Sequence, residues 1–119
     1  MNSKRINYQP QLTSVDAILV LTNLPSQASA EQLAQRLVDE KLAACINILA
    51  PCTSIYHWQG ETERATEFPL LIKTTQARYA ALELAILREH PYELPEIIHV
   101  PITGGLPAYL NWLTKESFT

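Results

Sequence analysis

The segment from His90 to Glu96 brings an imidazole, a phenol and two carboxylates together within seven residues. Its sequence is His-Pro-Tyr-Glu-Leu-Pro-Glu. The two prolines fix their own backbone angles and favour extended geometry at the preceding residues, so this segment is not expected to be helical. We expect a stiff connector whose polar side chains either hold a ligand or accompany a turn of the chain.

Histidines and cysteines are the other candidate metal ligands, because copper(II) favours imidazole nitrogen and copper(I) favours thiolate. The candidates are His57, His90, His99, Cys45 and Cys52. No C-x-x-C or H-x-x-x-H pattern is present, so their spacing alone is weak support for a metal site. In an extended segment the two cysteines would lie roughly 20 Å apart, which is too far for a disulfide. Free thiols predict a reducing cytoplasm.

Length and charge limit the class of protein. The 119 residues fit one domain, which we expect over residues 15–119 after a flexible tail at residues 1–14. The net charge is −3 and no Lys/Arg cluster is present, so nucleic acid and anionic membranes are not expected partners. The basic N-terminal residues are not followed by the apolar stretch of a secretory signal, and no later apolar run has the length of a membrane span.

An enzyme is not predicted either. The sequence offers no Ser/His/Asp order, no adjacent nucleophile and base, and no glycine-rich loop that would hold a phosphate.

Apolar periodicity predicts the elements that position these residues. A buried strand is expected at residues 16–22, followed by a helix that begins at Ser29 with Gln32 completing a capping box. Residues 44–58 and 62–75 then read as the arms of a long hairpin. The second helix is expected to carry a broad apolar surface. One stripe consists of Ala77, Ala80, Ala81, Leu84 and Ala85, and Tyr79, Leu82 and Ile86 lie beside it. A last strand and a short helix beginning near Pro107 complete the order β-α-β-β-α-β-α.

This order predicts an α+β fold of the ferredoxin-like type, in which two helices cover one face of an antiparallel four-stranded sheet. Fifteen extended residues span about 50 Å, whereas a compact domain of this size is roughly 35 Å across. The hairpin must therefore bend or leave the body, and we expect its edge to pair with another subunit. Pro51 and Pro69 should each mark a bulge or a sheet edge. The second sheet face should be covered by the last helix and by neighbouring subunits.

Several motifs in register resemble the CutA divalent-cation tolerance family. The resemblance covers the chain from about Ala17 to Trp112. It rests on residues 41–47 (KLAACIN), 54–60 (SIYHWQG), Glu67, 71–75 (LIKTT), 90–96 (HPYELPE), and Tyr109, Leu110 and Trp112. It implies a ferredoxin-like fold, a homotrimer whose long hairpins pair across subunits, and a cytoplasmic role in divalent-metal tolerance with copper binding.

The resemblance also implies a metal site, from which this chain departs. The family's proposed copper ligands are a cysteine at the end of the first strand and a His-His pair before Pro-Tyr. Thr22 and Glu89 occupy the first two of these positions, and His90 alone keeps its ligand type. Cys45, in the Ala-Ala-Cys motif, is a further possible ligand, although free cysteine commonly acts as a small core residue. A helix-end histidine favoured by the helix dipole is the alternative for His90.

Polar residues that match the family indicate a second possible site. Lys73 lies among apolar residues and needs a carboxylate partner or a route to solvent, and Glu67 and Glu96 are possible partners. Together with Trp58 and Tyr92, these residues could line a cleft between subunits.

Three functions therefore stay open at this point. The first is a non-catalytic trimer that takes part in the response to divalent metals and binds copper weakly through His90. The second follows from a likeness in plan to the trimeric PII signalling proteins, which bind small effectors between subunits. The third is a structural trimer that anchors a partner.

Overall fold

The computed structural model describes residues 16–118. It is an α+β fold, as predicted, with an antiparallel sheet and three helices. The main sheet has the order β2-β4-β1-β5. These strands are β1 (Ala17–Leu24), β2 (Cys45–Ile48), β4 (Glu61–Thr75) and β5 (Ile97–Pro101), while β3 (Cys52–Trp58) pairs only with β4.

The hairpin formed by β3 and β4 extends beyond the body of the sheet. The pairing of β1 with β4 ends at Leu24 opposite Phe68, and the rest of β4 is paired only with β3. Gln59 and Gly60 both have positive φ, at 52° and 84°, which closes a tight two-residue turn between the arms. The described residues span 52 × 28 × 25 Å, so the predicted conflict between strand length and domain size is resolved by projection.

The two prolines of the hairpin behave differently. Pro51 lies between β2 and β3, where the first arm is interrupted as predicted. The prediction for Pro69 is wrong, because β4 continues through it with Asn23 on one side and Leu49 on the other. Leu49 N–H donates to the Pro69 carbonyl oxygen at 2.9 Å. Both neighbouring strands end close to this point, so few ladder bonds depend on the missing proline N–H.

The helices are α1 (Gln27–Asp39), α2 (Tyr79–Glu89) and α3 (Pro107–Glu116). The predicted start of α1 at Ser29 is wrong by one turn. The N-cap is Ser26, whose hydroxyl oxygen accepts a hydrogen bond from Ser29 N–H at 3.1 Å. Ser26 directly follows the proline that ends the strand segment, and its extended backbone is the geometry of an N-cap residue.

The buried face of α2 agrees only in part with the predicted stripe, because it contains Ala85 of that stripe and the neighbouring Leu82 and Ile86. A 3-10 turn (Gln76–Arg78) precedes the helix. Leu84, at the centre of the alanine-rich stripe, is 48% exposed. The face with the two large buried side chains removes more apolar area from water than the alanine face would, and this decides the rotation of the helix.

The sheet has two unequal faces. Val20 and Ile72 are register partners and belong to the main core, which α1 and α2 cover. On the opposite face, α3 contacts β4 and β1 and buries Leu113. Ile98 and Val100 of β5 point to this second face, since they pair with Leu21 and Leu19; they are 52% and 47% exposed. The last helix therefore covers only part of the second face.

Candidate functional site

The root of the hairpin is where β1, α2 and the connector to β5 meet. His90 is the C-cap of α2, and its backbone N–H still donates to the Ile86 carbonyl oxygen at 2.8 Å. Pro91 disfavours helical geometry at His90, whose backbone is extended, so the helix ends at this residue. The proline thus directs the His90 side chain towards the end of β1.

Both ring nitrogens of His90 are engaged by the backbone. Tyr92 N–H donates to Nδ1 at 3.2 Å, and Nε2 lies 2.6 Å from the Asn23 carbonyl oxygen. Because Nδ1 accepts, the ring carries its proton on Nε2, which donates to Asn23. In this arrangement the imidazole has no free lone pair for a metal ion.

The environment of His90 favours the neutral ring. Burial lowers the pKa of His90 below its ordinary value, although the Asn23 carbonyl and the Glu67 carboxylate favour the charged form. A protonated ring could not accept the Tyr92 N–H bond, so ionisation would also loosen the connector.

Two buried side-chain oxygens have no hydrogen-bond partner within residues 16–118. They are Thr22 Oγ1 and Glu89 Oε2. Thr22 adjoins Asn23 in the chain and Glu89 adjoins His90, so each lies next to one member of the bonded pair. The other Glu89 oxygen accepts from Arg36 at 2.8 Å.

Cys45 and Lys73 lie elsewhere. They are register partners on the sheet face that α3 covers, whereas Thr22 pairs with Leu70 on the α1/α2 face. Cys45 is therefore not brought to Thr22. The Lys73 Nζ atom lies 6.0 Å from the Tyr109 ring centroid of α3.

A groove of about 1130 Å³ lies between the hairpin and the connector. Four of the five predicted cleft residues line it, namely Trp58, Glu67, Tyr92 and Glu96, and Lys73 does not. The strand register explains the hairpin wall. Cys52 pairs with Glu67, so Ser54, Tyr56 and Trp58 project from the same side of the hairpin as Glu67. That a neighbouring subunit completes this cleft stays a prediction.

Asn23 is the residue at this site that the sequence reasoning missed. Its carbonyl oxygen accepts from His90, and its Nδ2 donates to Glu96 Oε1 at 3.2 Å. It therefore joins the end of β1 to both ends of the connector. No local pattern marks it, because its partners lie 67 and 73 residues away.

Glu67 and Tyr92 interact inside the groove. Glu67 is only 8% exposed. Burial, followed by hydrogen bonding and charge from Glu67, raises the pKa of Tyr92 to about 12. Tyr92 also packs against His90 with ring centroids 4.8 Å apart. The phenol therefore stays protonated at neutral pH and can donate to the carboxylate.

No group of three or more His, Cys, Asp or Glu side chains within residues 16–118 is arranged to hold a metal ion. The site therefore combines a neutral imidazole, two unpartnered oxygens and a groove, with no preformed set of ligands.

Comparison with known proteins decides the family. The family model described as CutA1 divalent ion tolerance protein matches residues 18–116. The chain belongs to the CutA1 family. It is 43% identical over 99 residues to the divalent-cation tolerance protein CutA of Thermus thermophilus, covering 83% of this chain and 96% of the relative. The family is described by divalent ion tolerance, and that description names no catalytic activity.

Other relatives come from different settings. The chloroplastic CutA protein of Arabidopsis thaliana is 38% identical over 115 residues, which cover 97% of this chain and 63% of the relative. The solved structure of a periplasmic divalent cation tolerance protein CutA from Archaeoglobus fulgidus matches with a TM-score of 0.83 and 35% identity. It covers 86% of this chain and 99% of that one. The CutA1 family is thus not tied to one compartment.

None of the helices within residues 16–118 has the length and apolar character needed to span a membrane.

Proposed function

We propose that this CutA1 protein acts in divalent-ion tolerance as a cytoplasmic homotrimer of ferredoxin-like subunits that binds copper weakly. The sheet order β2-β4-β1-β5, with α1 and α2 on one face, supports the ferredoxin-like description. The partly uncovered second face and the projecting hairpin support self-association. The free thiols of Cys45 and Cys52 support a reducing compartment.

The observation that carries copper binding is the pair of buried oxygens without hydrogen-bond partners, Thr22 Oγ1 and Glu89 Oε2. A buried carboxylate oxygen is costly when it has no donor, and a cation would relieve that cost. The two oxygens belong to the chain neighbours of the bonded residues Asn23 and His90, and on this ground we propose them as donors for an ion held at the end of β1.

The same surroundings explain why binding would be weak. Arg36 already bonds Glu89 Oε1 and offsets part of its charge. His90 could contribute a nitrogen only by losing the Tyr92 N–H bond to Nδ1. An ion at this site would thus be bound by oxygen donors, which bind copper less strongly than imidazole or thiolate does.

Calorimetric titration with copper(II) and copper(I) tests this proposal. We expect Glu89→Gln to weaken copper(II) binding about tenfold or more, because it removes the charged donor. Glu40→Gln is the matched control, since Glu40 also bonds Arg36 at 2.8 Å but is exposed. Unchanged copper affinity in Glu89→Gln would show that this carboxylate is not a ligand. If titration of the wild type with copper gave no heat, the proposal of copper binding would be wrong.

A second candidate function is a small-molecule sensor of the PII type, and the groove between hairpin and connector favours it. Its volume is that of a site for an organic ligand and exceeds what a bare ion needs. A trimer that only anchors a partner would give no heat with metals or with small ligands.

A further inference from the structure

The groove at the root of the hairpin has a strongly one-sided charge. Its lining carries three carboxylates, Glu67, Glu93 and Glu96, and no Lys or Arg from residues 16–118. Glu96 accepts from the neutral Asn23 amide, and Glu93 is exposed. These contacts leave the charges of the groove without a cation, so the groove favours a positively charged ligand.

Glu67 gives this preference a definite location. It is more than nine-tenths buried, and none of the Lys or Arg side chains of residues 16–118 lies within ion-pair distance of it. Tyr92 and the neutral His90 ring are the neighbours that interact with its carboxylate. A buried carboxylate whose neighbours are neutral is poorly compensated, and a ligand cation would supply the missing charge.

Aromatic rings stand on both sides of this carboxylate. Tyr56 and Trp58 project from the hairpin on the Glu67 side, and Tyr92 belongs to the connector that forms the opposite wall. The faces of such rings attract ammonium and guanidinium groups, most strongly where water is excluded. Rings together with carboxylates therefore favour a cation that also has an apolar body.

A metal ion fits this groove poorly. The carboxylates and His57 that line it form no group able to coordinate one ion. The volume of about 1130 Å³ is that of a site for a small organic molecule. Its size thus separates this groove from the copper site proposed beside Thr22 and Glu89.

We propose that this groove binds an organic cation, an ammonium or guanidinium group on an apolar chain or ring, with Glu67 as its counter-ion. The proposal rests on the sensor function and not on copper binding. The cationic group lies at Glu67 and Tyr92, and the apolar body extends along Tyr56 and Trp58 towards the hairpin tip.

Two probes of matched shape test the proposal on the full-length protein by calorimetry. Butylguanidinium carries the charge, and butylurea is its neutral counterpart. We expect butylguanidinium to bind at least about tenfold more tightly than butylurea. Glu67→Gln should remove most of this difference, and added salt should reduce it. Glu61→Gln, an exposed change at the hairpin tip that does not line the groove, should leave it unchanged.

Equal affinity for the two probes would overturn the proposal, as would no binding of butylguanidinium to the wild type at ~10 mM. An unchanged preference in a folded Glu67→Gln protein would overturn the role of Glu67. The comparison of the two probes in the wild type needs no variant, so the proposal can be tested even if Glu67→Gln misfolds. Glu89→Gln should weaken copper(II) binding and leave butylguanidinium binding intact, so the two sites can fail independently.

Discussion

At the scale of single residues, the root of the hairpin depends on backbone atoms as much as on side chains. The Asn23 carbonyl oxygen fixes the His90 ring, whose other nitrogen receives Tyr92 N–H. The Asn23 amide then holds Glu96 at the far end of the connector. Two prolines stiffen the connector, and these three bonds orient it. His90 thus has a structural role in this conformation that competes with metal binding.

The pH dependence of stability tests this structural role. The folded-state pKa of His90 is lowered, so below about pH 6.5 the unfolded chain binds a proton that the folded chain resists. The contribution of His90 is therefore complete above about pH 6.5 and is lost as pH falls from there towards the folded-state pKa. We expect the free energy of unfolding, measured in urea, to decline over this window. His90→Gln, whose amide can donate and accept as the neutral ring does, should decline less.

His57→Gln is the control, because it removes an exposed ring of the hairpin. It should keep the wild-type slope between about pH 5 and pH 8. Equal slopes in the wild type and His90→Gln would show that the His90 ring ionises as freely in the folded state as in the unfolded chain.

At the scale of elements, apolar periodicity predicted the order and class of structure because strand and helix periods are local properties. The length of the hairpin arms even predicted that the hairpin must either bend or leave the body, and it leaves the body. The rotation of α2 was not predictable in this way, because Leu82 and Leu84 are equally apolar and only the sheet beneath decides which is buried. The same limit applies to the site. Tyr92 and Glu96 belong to a recognisable motif, whereas Asn23 and Arg36 acquire partners only through tertiary contact.

The start of α1 can be tested directly, because the sequence and the structure assign its cap differently. Ser26→Ala removes the hydroxyl that accepts from Ser29 N–H, and we expect it to lower the free energy of unfolding by about 1 kcal/mol. Ser26→Asp should preserve stability. Gln32→Ala should change it by less than about 0.5 kcal/mol, since the predicted Ser29/Gln32 capping box is not formed.

Denaturant unfolding at a fixed protomer concentration measures these changes, because association would otherwise alter the apparent stability. If Gln32→Ala lowered the free energy of unfolding more than Ser26→Ala did, the Ser29/Gln32 capping box would be supported and the cap at Ser26 contradicted.

At the scale of the whole molecule, a narrow body carries a long projecting hairpin and an apolar sheet face that is only partly covered. Leu113 of α3 is fully buried, yet Ile98 and Val100 of the edge strand β5 remain about half exposed. Adjacent exposed apolar side chains on an edge strand favour association. The unpaired edge of β3 adds a second surface of the same kind. Both features accord with the proposed homotrimer.

Substitution at Val100 tests that assembly. Val100→Glu places a charge on the uncovered face, and burying an unpaired carboxylate in an apolar interface costs several kcal/mol. By light scattering after size exclusion, we expect the wild type to have three times the protomer mass and Val100→Glu to dissociate at the same concentration. Leu87→Glu is the matched control, because Leu87 is 49% exposed but lies on α2, on the outer side of the protein. It should keep the wild-type mass. A monomeric wild type would contradict the proposed trimer. A Val100→Glu protein that stays trimeric would show that the interface does not include this part of β5.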